Sequence, residues 1–143
     1  MFIGEYQHNI DEKGRLALPA KFRVKLKKGA IVTRGLDHCL FVYPEEEWQK
    51  LAEKLMSLPL NQARSRAFAR LMLSGAHEVE IDVQGRINVP DHLLQYASVK
   101  KKAVIAGVYN RIEIWDLHLW TKYKAKAEKE SDSIAESLGA LGV

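Results

Sequence analysis

The sequence predicts an α+β protein in which two copies of a small β-rich unit share one β-barrel, with helices packed outside. The first observation behind this prediction is an internal repeat, because segment 10–19 recurs as segment 81–90 with Ile, Asp, Gly, Arg and Pro at the same places. The second is hydrophobic patterning, in which short strand-like stretches are followed by amphipathic, helix-like ones. Since a unit of ~40 residues cannot bury a sufficient core alone, the two copies are expected to share one.

The repeat extends beyond the first match. When the shift grows by one residue, three further features coincide: Gly35 with Gly107, segment 39–43 with segment 111–115, and Trp48 with Trp120. The predicted organisation is therefore a first unit at 5–47, a helical connection at 48–75, a second unit at 76–119, and a C-terminal helix and tail at 120–143.

Each unit begins with a strand and a tight turn. The first strand is expected to end near Ile10 in one copy and near Ile81 in the other. The Asp-x-x-Gly-Arg segment that follows predicts a turn, because Asp bonds to its own turn backbone and Gly tolerates positive φ. The next strand alternates and places its apolar residues on one face, Leu16 and Leu18 in the first copy and Ile87 and Val89 in the second.

A proline, Pro19 or Pro90, ends this short strand in both copies. Because proline fixes φ and lacks a backbone donor, it suits the first turn of a short helix, predicted at 20–24 and 91–95. Two further strands joined as a hairpin complete each unit, at 30–33 and 40–43 in the first and at 103–106 and 112–115 in the second.

Longer helices are predicted after each unit. Segment 45–56 has acidic residues in its first turn, where the helix dipole favours them, and an apolar stripe of Trp48, Leu51, Leu55 and Met56. Asn61 is expected to cap a second helix at 62–74, with apolar positions at Ala63, Ala67, Phe68 and Leu71. A last helix begins near Leu117, and the tail at 131–143 is expected to be mobile because it has few large apolar residues.

The composition is that of an ordinary globular protein. The chain has 143 residues, of which 47% are hydrophobic and 28% charged, and a net charge of +4. No apolar run approaches the roughly 20 residues of a membrane span, and the N-terminus has no secretory signal pattern, so a cytoplasmic protein without membrane association is expected. The single cysteine, Cys39, lies in an apolar run and is expected to be a buried thiol.

Positive charge is concentrated in the first unit. Between positions 13 and 36 there are eight basic residues and no acidic one: Lys13, Arg15, Lys21, Arg23, Lys25, Lys27, Lys28 and Arg34. This stretch is a candidate anion-binding surface, and a solvated face without a partner is the alternative. Charge alone does not choose between them.

The sequence has none of the common patterns of enzymes or metal sites. It contains no Gly-rich phosphate loop, no Gly-x-Ser-x-Gly segment and no carboxylate pair beside an obvious base. The histidines lack metal-ligand spacing, and no cysteine pair supports zinc: His8, His38, His77, His92 and His118. We therefore expect neither catalytic activity nor a metal or other cofactor.

The paired Asp-x-x-Gly-Arg-Φ-x-Φ-Pro motifs, with Φ apolar, resemble the SpoVT/AbrB-like superfamily of bacterial transcription factors. Together with segments 1–4, 11–15, 71–76 and 82–86, they make the chain similar to the MraZ family over about residues 1–125. The resemblance implies a duplicated AbrB-like swapped-hairpin β-barrel within one chain, whereas other members of the superfamily usually build this barrel from two chains.

The resemblance also implies a function. It suggests a sequence-specific, nucleoid-associated transcriptional regulator that binds direct repeats in double-stranded DNA at the promoter of the division and cell-wall gene cluster. A ring-shaped homo-oligomer is implied as well. We expect a repressor, although the residues themselves do not distinguish repression from activation and do not give the subunit number, the base sequence or any effector.

The family's DNA-binding positions transfer to both turns. They are Asp11, Lys13, Gly14 and Arg15 in the first copy and Asp82, Gln84, Gly85 and Arg86 in the second. Lys21, Arg23 and Lys25 are added as candidate phosphate contacts. The first copy is the favoured DNA-binding face, because Gln84 stands where the first copy has Lys13 and no lysine cluster follows it. Arg15 is expected to contact guanine, with a purely structural pairing to Asp11 as the alternative.

A protein-interaction module of the antitoxin type is the second functional hypothesis, since AbrB-like barrels also occur in antitoxins. Such a chain normally has one copy of the unit and a long disordered extension, whereas this chain has two copies and a short tail. Three arginines on the predicted connecting helix have an open role, either on DNA or on a neighbouring subunit: Arg64, Arg66 and Arg70.

Overall fold

A computed structural model describes all residues from 1 to 143. The strands are β1 (Phe2–Asn9), β2 (Arg15–Ala17), β3 (Ala30–Arg34), β4 (Leu40–Pro44), β5 (His77–Val79), β6 (Arg86–Asn88), β7 (Lys102–Tyr109) and β8 (Ile112–Asp116). The helices are α1 (Ala20–Arg23), α2 (Glu45–Met56), α3 (Ala63–Ser74), α4 (Asp91–Tyr96), α5 (Leu117–Lys129) and α6 (Ser131–Ser137), with 3₁₀ turns at Val24–Leu26 and Gly139–Leu141. The predicted α+β class is confirmed.

The two halves of the chain are interleaved. The order strand, strand, helix, strand, strand occurs twice, and each strand of the first half pairs antiparallel with a strand of the second. These pairs are β1 with β7, β2 with β6, β3 with β5, and β4 with β8. As a result, a residue of one half can lie beside a residue of the other that is about 70 positions away in sequence.

The strands do not close into the expected barrel. Six of them form one sheet in the order β1-β7-β8-β4-β3-β5, and β2 and β6 form a separate two-stranded ribbon. The only backbone bridge outside these strands joins Ile10 to Leu16. β5 has three residues and pairs only with β3, so β1 and β5 remain the two edges of the sheet.

The ribbon packs on the six-stranded sheet through apolar side chains. Its strands form no hydrogen-bonded ladder with that sheet. Leu16 and Ile87 face each other across β2 and β6, and both are fully buried. They belong to a cluster of 19 buried residues that also includes sheet residues of both halves, such as Val32 and Ile105. The prediction that the two copies share one core is confirmed.

A second cluster of seven buried residues lies on the other face of the sheet, beneath the longer helices. Phe41 and Tyr43 of β4 pack with Leu55 of α2 and Met72 of α3. The Thr33 hydroxyl donates to the Met72 carbonyl over 2.8 Å, which ties β3 to α3. Cys39 is also buried here, as its apolar surroundings predicted.

The helices differ from the sequence-based expectation in three places. Met56 was expected on the apolar stripe of α2, yet it is 74% exposed because the helix ends there. On α3, Phe68 and Leu71 are exposed and Met72 is buried in their place. Asn61 does not cap α3, since Gln62 is the N-cap residue and makes no side-chain cap bond.

The C-terminal tail, which was expected to be mobile, contains α6 and a final 3₁₀ turn. Residues 131–143 are exposed along their whole length, so local backbone hydrogen bonds and not burial maintain these turns. None of the helices is both long and apolar enough to span a membrane.

Candidate nucleic-acid interface

The first Asp-x-x-Gly-Arg segment forms a turn organised by one carboxylate. Asp11 Oδ1 accepts hydrogen bonds from the backbone N–H groups of Lys13 and Arg15, both at 2.9 Å. Its second oxygen, Oδ2, accepts from Arg15 Nε at 2.7 Å. These bonds fix the direction of the Arg15 side chain and leave its two terminal nitrogens outside the pair with Asp11.

The second segment repeats this arrangement. Asp82 Oδ1 accepts from the backbone N–H groups of Gln84 and Arg86 at 2.9 Å, and Asp82 Oδ2 accepts from Arg86 Nε at 2.9 Å. The two turns therefore have one geometry, as the repeated motif predicted.

Glycine is required at one position of each turn. Gly14 and Gly85 have φ of +81° and +79°, a left-handed conformation that other residues rarely adopt. Their carbonyls also reach across to the other half, where Gly14 accepts from Val89 N–H at 2.8 Å and Gly85 accepts from Leu18 N–H at 3.0 Å. Each turn is thus hydrogen-bonded to the residue that directly follows the ribbon strand of the other half.

The ribbon presents a polar outer face. Side chains alternate along a strand, so the burial of Leu16 and Ile87 directs their neighbours outward. The outward residues pair as Arg15 with Asn88 and Ala17 with Arg86. Both motif arginines therefore lie on one partly exposed surface, which we call the ribbon face: Arg15, Ala17, Arg86 and Asn88.

The two turns meet on this surface. Arg86 Nη1 lies 4.0 Å from Asp11 Oδ2, so the Asp11 carboxylate contacts the arginines of both halves. Hydrogen bonds from the backbone N–H of Arg15 are the main cause that lowers the pKa of Asp11, and the equivalent bonds from Arg86 lower the pKa of Asp82. Both carboxylates are consequently charged at neutral pH.

The side chain of Arg23, a residue of the first half, packs against the second turn at Gly85. A Cβ atom added to Gly85 would overlap the Arg23 guanidinium, so this side chain occupies the space that glycine leaves open. Arg23 Nε is buried without a hydrogen-bond partner. The second turn therefore has a basic neighbour from the first half, although its own segment, with Gln84, suggested less basic surroundings.

The first turn has basic neighbours from the second half. Ile10 N–H donates to the Lys101 carbonyl at 2.9 Å, which places the loop before β7 beside this turn. A shallow groove here is lined by Lys13, Lys100 and Lys101, together with the acidic Glu12 and Asp91. Lys100 and Lys101 were missed by sequence reasoning, as was Asn88.

One sequence signal could have located Asn88. If the repeated strand pairs antiparallel with its own copy, Leu16 faces Ile87, and that register alone places Asn88 opposite Arg15. The positions of Arg23, Lys100 and Lys101 depend on packing between the halves, for which no local pattern exists.

Two of the predicted phosphate contacts lie elsewhere. Lys21 lies over the Tyr6 ring, 5.0 Å from its centroid, and Lys25 donates to the Met1 carbonyl and lies over Phe2. None of these contacts involves either turn. The structure thus unites the turn residues and Arg23, whereas Lys21 and Lys25 lie along β1.

The remaining candidates are separate from the ribbon face. Arg64 and Arg70 are exposed on α3, and Arg66 donates to the Leu60 carbonyl at 3.2 Å. No group of three or more His, Cys, Asp or Glu side chains is arranged to bind a metal ion.

Comparisons with known proteins agree with the motif-based resemblance. A family described as "MraZ protein, putative antitoxin-like" matches the chain in two segments, residues 1–71 and 72–139. The chain is 54% identical over 143 residues to a Desulfitobacterium hafniense protein named transcriptional regulator MraZ, with all of both chains covered.

Proteins of the same name in two other bacteria are similarly related. The Halothermothrix orenii protein is 50% identical over 143 residues, covering all of both chains. The Desulforamulus reducens protein is 51% identical over 138 residues, covering 96% of this chain and 97% of that protein. The family match over both halves and these full-length relatives lead to one conclusion: the chain belongs to the MraZ family.

Proposed function

We propose that the chain is a sequence-specific DNA-binding regulator of transcription and that the ribbon face contacts the DNA. The observation that carries this proposal is the placement of Arg15 and Arg86 on the partly exposed outer face of one two-stranded ribbon, each held by an aspartate four residues earlier. The names of the full-length relatives support transcriptional regulation.

The geometry of the ribbon suits the major groove, which admits a two-stranded β-ribbon. Arginine can donate two hydrogen bonds to O6 and N7 of guanine, and Arg15 has both terminal nitrogens available for this contact. In this role Asp11 orients Arg15, so that the structural pairing and the DNA contact act together. Asp82 and Arg86 repeat the arrangement in the second half.

Basic residues beside the turns supply contacts to phosphate in this proposal. Lys13 and Lys101 lie next to the first turn and Arg23 next to the second. Such contacts fix the position of the protein on the duplex without reading its sequence, and they make affinity fall with salt. Lys21 and Lys25 act as more distant contributors, through the general positive field of the chain.

The proposed regulator acts as a homo-oligomer, in a ring that presents several ribbon faces to direct repeats of the promoter. Five large apolar side chains are exposed in and beside the α2–α3 connection, and they support assembly because an interface between subunits would remove them from water. They are Met56, Leu58, Leu60, Phe68 and Leu71. Weak single contacts on tandem repeats would then add up to tight binding.

Localisation and direction of regulation follow from the same proposal. A DNA-bound regulator of the division and cell-wall gene cluster would be cytoplasmic and associated with the nucleoid, and binding over a promoter would repress it. A reporter driven by that promoter should lose expression when the chain is supplied, and gain of expression would contradict repression.

The antitoxin hypothesis has less support. The family description mentions antitoxin-like proteins. However, this chain has two motif copies, and its residues 131–143 form α6 and a final 3₁₀ turn. DNA regulation therefore remains the preferred proposal.

The decisive experiment is a salt-titrated binding assay of the full chain on direct-repeat and scrambled double-stranded DNA. The proposal predicts tight, repeat-specific binding that weakens as salt rises, with a tandem array bound more tightly than one repeat. Equal weak binding to every sequence would contradict sequence-specific regulation.

A further inference from the structure

The side chain of Asn88 has an unusual position on the ribbon face. It lies directly opposite Arg15 in the register of β2 and β6 and is exposed to solvent. Its carboxamide oxygen lies against the first turn, 3.3 Å from where a Cβ of Gly14 would be. The side-chain hydrogen bonds of the ribbon involve the Asp and Arg pairs and none involves Asn88, so its donor and acceptor remain available.

Asn88 also breaks the symmetry of the two halves. Ala17 occupies the equivalent position of the first half and lies opposite Arg86. One end of the ribbon face therefore presents an arginine with a carboxamide, and the other presents an arginine with a methyl group. Arg86 differs from Arg15 further, because its Nη1 lies near the Asp11 carboxylate of the other half.

The chemistry of the carboxamide selects one base. The amide nitrogen of Asn donates to N7 of adenine and its oxygen accepts from the N6 amino group, whereas arginine donates to O6 and N7 of guanine. Side chains directly opposite on an antiparallel pair are about 5 Å apart at Cβ. Successive bases of a strand are roughly 3.4 Å apart along the duplex, so Arg15 and Asn88 can address neighbouring base pairs.

We propose that Asn88 is a specificity-determining residue that reads an adenine in the base pair next to the guanine read by Arg15. This inference rests on the proposed function of the ribbon face. It implies that each subunit reads its site in one direction, because the Arg15 and Asn88 end cannot be exchanged for the Arg86 and Ala17 end.

The test compares base preferences, not only affinity. Wild-type protein first selects its preferred duplex from a randomised pool, and every position of that duplex is then replaced by each of the four base pairs. Binding is measured for wild type, Asn88→Ala and Asn88→Asp. Asn110→Ala serves as the matched control, because Asn110 is an exposed asparagine in the β7–β8 connection.

The expected result is a change at a single position. Asn88→Ala should lose roughly 5- to 100-fold of the preference for adenine there and keep the neighbouring preference for guanine. Asn88→Asp should shift the preference at that position to cytosine, whose N4 amino group a carboxylate accepts. A new base preference cannot arise from misfolding, and Asn110→Ala should retain the wild-type profile.

Two outcomes would overturn the inference in distinguishable ways. If Arg15→Ala loses the preference for guanine while Asn88→Ala and Asn88→Asp keep the wild-type profile, Asn88 does not read a base although the ribbon does. If the wild-type protein selects no sequence at all, the proposed function fails together with this inference.

Discussion

At the scale of single residues, each turn depends on one carboxylate that accepts three hydrogen bonds. Asp11 and Asp82 have lowered pKa values for this reason, chiefly because of backbone N–H donors. A lowered carboxylate pKa contributes stability that is present above the ordinary value and is lost as pH falls through the lowered one. The turns should thus keep their geometry from neutral pH down to the ordinary Asp range.

Removing the guanidinium of Arg15 should raise the pKa of Asp11 only part of the way back to its ordinary value. Arg15→Ala eliminates the Nε donor but keeps the backbone N–H of residue 15, which is the larger cause of the shift. The Asp11 pKa should therefore rise and still remain below its ordinary value in an NMR titration of the side-chain carboxyl. A return to the ordinary value would show that the side-chain pair dominates the turn.

Cys39 should be chemically inert in the folded protein. Burial raises the pKa of its thiol, and Sγ donates to the Leu36 carbonyl at 3.1 Å. A thiol-specific reagent should leave the native chain unmodified at neutral pH and modify it fully in denaturant. Rapid modification under native conditions would mean that the sheet opens locally around β4.

The sequence contained enough information to identify Asp11, Gly14, Arg15 and their copies as turn residues. The side chains that surround these turns were harder to assign. Arg23 belongs by sequence to the first unit, yet it packs on Gly85 of the second. The reason is that every strand pair except the hairpins joins the two halves, so neighbours in sequence are not neighbours at the site.

At the scale of elements, the hairpins, α2 and the short helices after each proline follow local patterns, and the sequence predicted them well. β5 and α6 were harder to predict. β5 has only three residues, and its single partner is β3 of the other half. α6 has no buried residue, so hydrophobic periodicity gave no signal for it.

The two turn glycines allow a matched comparison of how much an alanine substitution in each turn lowers the free energy of unfolding. Alanine at either position should cost about 1–3 kcal/mol, because both residues have left-handed backbone conformations. Gly14→Ala should cost more than Gly85→Ala, since its Cβ would lie 2.7 Å from the Val89 carbonyl oxygen, whereas the one at Gly85 meets the flexible Arg23 side chain. Thermal unfolding of both variants checks this order, and equal or reversed losses would contradict it.

At the scale of the whole molecule, the two halves share their buried clusters, and neither half has a core of its own. The ribbon packs on the six-stranded sheet through Leu16 and Ile87, and strands from both halves contribute to the same cluster. The repeat in the sequence predicted this shared core. It did not predict the open sheet, because whether a barrel closes depends on strand length and edge pairing, which the repeat does not specify.

The shared core predicts a single cooperative unfolding transition. Ile87→Ala should destabilise the whole chain by about 2–5 kcal/mol, since Ile87 is fully buried. Val83→Ala is the control and should change stability by less than about 0.5 kcal/mol, because Val83 is fully exposed. Denaturant unfolding followed by tryptophan fluorescence and circular dichroism should give coincident curves, and two separate transitions would mean that the halves are independent.

The central claim is that the ribbon face contacts DNA through Arg15, and one measurement tests it most directly. Equilibrium binding of Arg15→Ala is compared with that of wild type and of Lys54→Ala, which removes one exposed positive charge from α2. On the preferred repeat array, Arg15→Ala should lose at least about tenfold in affinity and approach the value for scrambled DNA, while Lys54→Ala should remain near wild type. If Arg15→Ala binds the array as tightly as wild type with its fold intact, the ribbon face is not the DNA-binding surface.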